Sequence, residues 1–186
     1  MAEQGLPRSS CIIFSILMVL SCLTSAGSAD EIIRNTEVGL GAGLDIESLN
    51  THPSFVMART LRESDEGPDL FLGLEGNFLM IDSEKTTYIA SVVPFIKLRG
   101  RHLHDSRTLF GELGLGAGLS NHDEVNGRQL GGKFMFTIIG VFGLEVPTTS
   151  LGPLMLSTRF IHYSNGGLYP FNQSYNAQFI VISRMF

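Results

Sequence analysis

From residue 37 onward, apolar and polar side chains alternate with a period of two, in runs about as long as a membrane-spanning β-strand. Glu37 to Ile46 sets Val38, Leu40, Ala42, Leu44 and Ile46 on one face, against Glu37, three glycines and Asp45. Leu70 to Met80 sets Leu70, Leu72, Leu74, Phe78 and Met80 against Glu75 and Asn77. Thr86 to Arg99, Leu109 to Ser120 and Lys133 to Glu145 repeat the pattern, with Lys97, Glu112 and Glu145 on the polar side. Fainter versions occupy Ser54 to Leu61, Pro153 to Ser164 and Asn176 to Phe186. The total is about eight, an even number that suits a small closed antiparallel barrel with both termini in the periplasm. The expected fold is all-β.

The first residues read differently. Arg8 precedes an almost unbroken apolar stretch from Cys11 to Leu23, and small residues follow, Ser25-Ala26-Gly27-Ser28-Ala29. A run this short, with small residues behind it, fits a cleaved signal peptide better than a spanning helix. Cleavage after Ala29 divides the chain into a leader, 1–29, and one domain, 30–186. Val19-Leu20-Ser21-Cys22 also resembles a lipoprotein box with Cys22 acylated, so the type of leader stays open. Both cysteines, Cys11 and Cys22, fall in the leader. The mature domain therefore has neither disulfide nor thiol chemistry and must be held by strand pairing. A net charge of −5 supplies no basic footprint for nucleic acid.

Glu37-Val38-Gly39-Leu40-Gly41-Ala42-Gly43-Leu44 recurs as Glu112-Leu113-Gly114-Leu115-Gly116-Ala117-Gly118-Leu119. A dinucleotide-binding loop would need a helix after the glycines, and neither copy leads into a helical period. The glycines instead share the polar parity, where a narrow barrel interior needs small residues. Period two alone does not say whether the apolar face points into a soluble barrel or out into lipid. The leader and the final amphipathic segment ending on Phe186 favour lipid. A soluble lipocalin-like carrier is the competing architecture.

One stretch carries chemistry: Arg159-Phe160-Ile161-His162-Tyr163-Ser164-Asn165-Gly166-Gly167-Leu168. His162 and Ser164 lie two apart, so on a strand they share a face. A hydroxyl nucleophile needs a base close by. A symmetric hairpin of the last two strands would set His162 opposite Asn176 and Ser164 opposite Ser174, giving nucleophile, base and orienting acceptor on one face. Parity with Leu154, Leu156, Phe160, Ile180 and Ile182 turns that face to lipid. A polar cluster there is costly unless it is functional.

This stretch, from Arg159 to Asn176, resembles the PagL-type lipid A 3-O-deacylases, and a looser similarity reaches back through Phe110 to Ser120. The resemblance implies an outer-membrane serine esterase that removes an acyl chain from lipid A with a Ser-His-Glu triad on the barrel exterior, without a cofactor. It assigns Ser164 as nucleophile, His162 as general base, and Asn165, Gly167 and Asn172 to site shaping and the oxyanion hole. The triad acid falls on Asn176, a departure from the family's glutamate. Asparagine can still fix the imidazole tautomer, as in Cys-His-Asn proteases, but it stabilises the imidazolium less. The alternative is a non-catalytic structural or adhesion barrel. Expected partners are lipopolysaccharide and membrane lipid, with the site at the outer-leaflet side.

Two other clusters read as solvated turns. His102-x-His104 lacks the further ligands that zinc takes. Glu63 to Asp69 lacks calcium-loop spacing.

Overall fold

The computed structural model describes residues 35–186 apart from 50, 65–66, 84, 104–105 and 149–151. The leader at 1–29, with Cys11 and Cys22, lies outside the described residues, as does His104. Eight long strands form one closed antiparallel barrel: β1 (Thr36–Asp45), β2 (Ser54–Ser64), β3 (Gly67–Ile81), β4 (Thr87–His102), β5 (Thr108–Ser120), β8 (Phe134–Val146), β9 (Leu154–Ser164) and β10 (Tyr175–Met185). Each pairs with its neighbours in sequence, and β1 pairs with β10 to close the ring. Closure leaves no edge strand with unpaired backbone groups, the condition for crossing lipid with strands.

The strands run further than hydropathy suggests, because pairing continues past the alternating stretch. Most of Glu63 to Asp69 is therefore strand rather than turn, with a register shift between Glu63 and Ser64. His102 likewise ends β4, paired with Thr108, instead of lying in a loop.

The parity of every strand settles which face is which. Leu40, Leu113 and Leu115 point outward and are 60%, 72% and 63% exposed, among exposed leucines, isoleucines, valines and phenylalanines from every long strand but β2. A soluble lipocalin-like barrel would show water a polar wall, so the carrier architecture is excluded. The interior is filled by side chains. Toward the rim opposite the termini pack Phe55, Leu79, Ile89, Met135, Tyr163, Tyr175 and Phe179; toward the other rim pack Phe110, Val141 and Met155. Between them lies a buried layer of Arg59, Arg159 and Lys97 with Glu37, Glu75 and Glu112. Arg59 reaches Glu37 at 2.6 Å and Glu112 at 2.5 Å, and Arg159 holds Glu75 at 2.5 Å. The two arginines pair with these three carboxylates and Lys97 lies 3.8 Å from Glu145, so each buried cation meets the rule that buried charges are paired.

The repeated glycines occupy the inward parity. A Cβ on Gly43 would lie 2.5 Å from the Phe179 ring, and one on Gly116 would lie 2.1 Å from the Val92 carbonyl oxygen. One copy of the repeat makes room for an aromatic side chain and the other for a neighbouring backbone.

A short hairpin, β6 (Glu124–Val125) and β7 (Arg128–Gln129), had no counterpart in the hydropathy pattern. It turns on Asn126-Gly127, both at positive φ (50° and 76°), as a tight two-residue hairpin requires. Val125 and Leu130 anchor it in the core beneath the rim. From there Arg128 crosses the Tyr175 ring, 4.9 Å from its centroid.

Candidate active site

The register of β9 against β10 places Asn176 directly opposite His162. Both side chains face outward at the rim away from Thr36 and Phe186, half-buried between the exposed Phe160 below and the β9–β10 loop above. His162 Nδ1 lies 2.7 Å from Asn176 Oδ1. The ladder ends at Tyr163 and Tyr175, so Ser174 lies just beyond it and receives a 3.4 Å hydrogen bond from Asn176 Nδ2.

Ser164 is the last residue of β9, on the same face as His162. Two residues of strand separate their Cα atoms by roughly 7 Å, so contact between them depends on the serine rotamer. Here the Ser164 hydroxyl donates to Asn172 Oδ1 at 3.4 Å and accepts the Gly166 N–H at 3.1 Å. The Asn165 N–H also donates to Asn172 Oδ1, at 3.0 Å. The loop turns at once through Gly166 and Gly167, at φ 63° and 82°. That left-handed pair favours glycine and brings the backbone back over the hydroxyl.

Asn165 is buried, and each polar atom of its side chain is engaged. Its Nδ2 donates to the carbonyls of Leu130 (2.6 Å) and Phe171 (2.5 Å), and its Oδ1 accepts the Gly167 N–H at 2.8 Å. Asn165 and the Gly167 amide thus shape the loop rather than aim at Ser164. Asn172 is the residue whose side chain meets the hydroxyl, and it does so through its oxygen.

Two residues at the site were not evident from spacing. Glu47, in the loop after β1, accepts from Asn176 Nδ2 at 2.7 Å. Arg128 of β7 pairs with Glu47 at 2.9 Å and with Asp45. Neither is near the β9–β10 hairpin in sequence, and only barrel closure brings them there. The Asn126-Gly127 turn is the one local signal that pointed to the element carrying Arg128.

Below the site, on the same outward face, a shallow groove of about 330 Å³ is lined by Leu113, Gly140, Phe142, Thr158, Phe160 and Gln178. It opens at Gly140, the missing side chain in an otherwise apolar stripe of β8. Among the described residues, no group of three or more His, Cys, Asp or Glu side chains is arranged to hold a metal.

The fold agrees with the comparisons. The crystal structure of the outer membrane enzyme PagL has a TM-score of 0.69 to this chain at 18% identity, covering 81% of this chain and 99% of that one. That likeness is one of fold. No curated protein matches the chain. The family model of lipid A 3-O-deacylase (PagL) matches residues 49–183, which take in every barrel strand but β1 and all of the His162–Asn176 hairpin. By that match the chain belongs to the lipid A 3-O-deacylase family.

Proposed function

We propose that this protein is a serine esterase of the outer membrane that removes an ester-linked acyl chain from lipid A, with Ser164 as nucleophile, His162 as general base and Asn176 as the residue that orients His162. The observation that carries this reading is the 2.7 Å His162–Asn176 hydrogen bond, on the outward face, two residues from a rim serine. An amide oxygen only accepts, so Nδ1 carries the hydrogen and Nε2 is left with a lone pair. Rotation of the Ser164 hydroxyl from Asn172 toward Nε2 lets the serine give its proton to His162 as it attacks the ester carbonyl. The proton then passes to the departing sugar oxygen, and water hydrolyses the acyl-enzyme with His162 acting again as base. The oxyanion is steadied by the Gly166 N–H, which serine rotation releases, and by Asn172 Nδ2 once that amide turns its oxygen away from the Asn165 N–H.

The acyl chain would follow the groove past Phe160 and Gly140, sharing the apolar wall with membrane lipid. With the termini in the periplasm, the site lies at the outer leaflet, where lipopolysaccharide is found. Mass spectrometry of lipid A from cells expressing Ser164→Ala should show the fully acylated species, while the wild-type chain yields the species short of one acyl chain. Continued deacylation by the folded Ser164→Ala barrel would remove the serine from the mechanism. A wild-type chain that leaves lipid A unaltered would favour the structural-barrel alternative.

A further inference from the structure

The hydrogen-bond chain that leaves His162 does not stop at Asn176. Asn176 Nδ2 donates to Glu47 Oε1 at 2.7 Å, and Glu47 Oε2 pairs with Arg128 Nη1 at 2.9 Å. Arg128 is held in turn by Asp45, whose Oδ1 also accepts the backbone N–H groups of Glu47 and Ser48 at 3.0 and 3.2 Å. Glu47 is therefore fixed from both sides, by its backbone and by one carboxylate oxygen, and presents the other oxygen to Asn176.

We infer that Glu47 supplies the carboxylate that position 176 lacks: a positioning residue that acts through Asn176 to set the tautomer of His162 and to balance the charge His162 gains. This rests on the roles given above to Ser164 and His162.

The tautomer argument follows from donor and acceptor inventories. An asparagine free to flip offers the imidazole either an oxygen or an NH₂ group, and these select opposite tautomers. An ionised carboxylate accepts only. With Glu47 on its far side, Asn176 must turn its NH₂ to Glu47 and its oxygen to His162, which keeps Nε2 unprotonated for Ser164. The flipped amide would set oxygen against carboxylate. Glu47 removes that alternative.

The charge argument concerns the same atoms. Asparagine alone contributes only a dipole to the imidazolium formed when Ser164 loses its proton. A carboxylate in line with the amide polarises it and adds a full negative charge one link further out. The charged groups facing this chain are Asp45 at the end of β1, Arg128 of β7 and His162 of β9. Two carboxylates against one guanidinium leave one negative charge beside the imidazole. The hydrogen bond from Asn176, and then the charges of Arg128 and His162, hold the Glu47 carboxyl below its usual range, so it is ionised at neutral pH. Glu47 also precedes residues 49–183, the stretch that matches the family.

The test is steady-state deacylation of lipid A in detergent-lipid micelles by the full-length barrel. Glu47→Ala should lower kcat about tenfold or more with little change in KM, the scale of one hydrogen bond to a charged group. Glu47→Gln, which keeps an acceptor but not the charge, should fall between. Asn176→Glu puts a carboxylate directly on His162, so in that background Glu47→Ala should lower kcat no further, and should raise it by relieving repulsion between neighbouring carboxylates. Equal losses in both backgrounds would mean that Glu47 only braces its loop, and the inference fails. It fails also if Glu47→Ala and Glu47→Gln both match wild type while Ser164→Ala is inactive. Activity surviving in Ser164→Ala would instead overturn the nucleophile assignment on which this inference stands. Should Glu47→Ala not fold, Glu47→Gln is compared in the same two backgrounds with the same criteria.

Discussion

Asn165 shows how far a residue's chemistry can be read from its position in a motif. Beside Ser164 it resembles an oxyanion donor, and sequence offers no means of seeing where its amide goes. The folded chain directs that amide into two backbone carbonyls, Leu130 after the β6–β7 hairpin and Phe171 of its own loop, and directs its oxygen to Gly167. Leaving a buried polar group unpaired costs about 1–3 kcal/mol, so Asn165→Ala should destabilise the loop and lower kcat through misplacement of Ser164. Asn165→Asp is the sharper test. It is nearly isosteric, yet it sets a carboxylate oxygen against two carbonyl oxygens. It should be at least as damaging as Ala in thermal unfolding and in deacylation rate. Wild-type behaviour of Asn165→Asp would show that the Asn165 amide neither holds the loop nor donates to the oxyanion. His162 and Asn176, by contrast, were legible in advance, because a strand's period of two and a symmetric hairpin leave no freedom in which residues face each other.

Among the elements, the eight long strands were visible because each repeats the alternation often enough to be recognised, and their ends were not. Pairing persists into polar residues wherever both partners continue, as β2 and β3 do around Glu63. The β6–β7 hairpin was missed for the opposite reason: arms of two residues are too short to show any period. Its only mark is Asn126-Gly127. A Cβ at Gly127 would meet nothing within 4 Å, so substitution there is penalised by backbone conformation alone, at φ +76°. Gly127→Val should therefore weaken the hairpin by about 1–2 kcal/mol, the left-handed penalty for an L-residue, or somewhat more for a branched one. Arg128 would then be less well held against Asp45 and Glu47. Deacylation should slow in the same direction as in Glu47→Ala but by less, while barrel unfolding stays near wild type. Unchanged deacylation by a folded Gly127→Val barrel would separate the hairpin from the site.

On the scale of the whole molecule, the residues that serve His162 come from both ends of the barrel sequence. Glu47 follows the first strand, Asn176 opens the last, and the Ile46 N–H donates to the Asn176 carbonyl at 3.0 Å across the closing seam. Sequence reasoning could count strands and predict closure, but which loop lies over which strand end depends on register and shear around the whole ring. The interior ion layer was legible only as polar parity, since Arg59 and Arg159 sat in two of the three segments whose alternation was faint. The seam has a pH dependence of its own. Glu47's carboxyl titrates lower in the folded barrel than in an unfolded chain, held there first by Asn176 and also by Arg128. An unfolded chain therefore takes up the proton first, and the stabilisation from Glu47 is present above the ordinary glutamate pKa of about 4.3. It fades as pH falls through the lower, folded value. Urea midpoints of wild type and Glu47→Gln should differ by a constant amount from neutral pH down to about pH 5, and the difference should shrink below that. Other titrating groups are common to both chains and cancel in the comparison. A gap that is already closing near neutral pH, or one that never closes in acid, would show that Glu47 does not hold the seam through its charge.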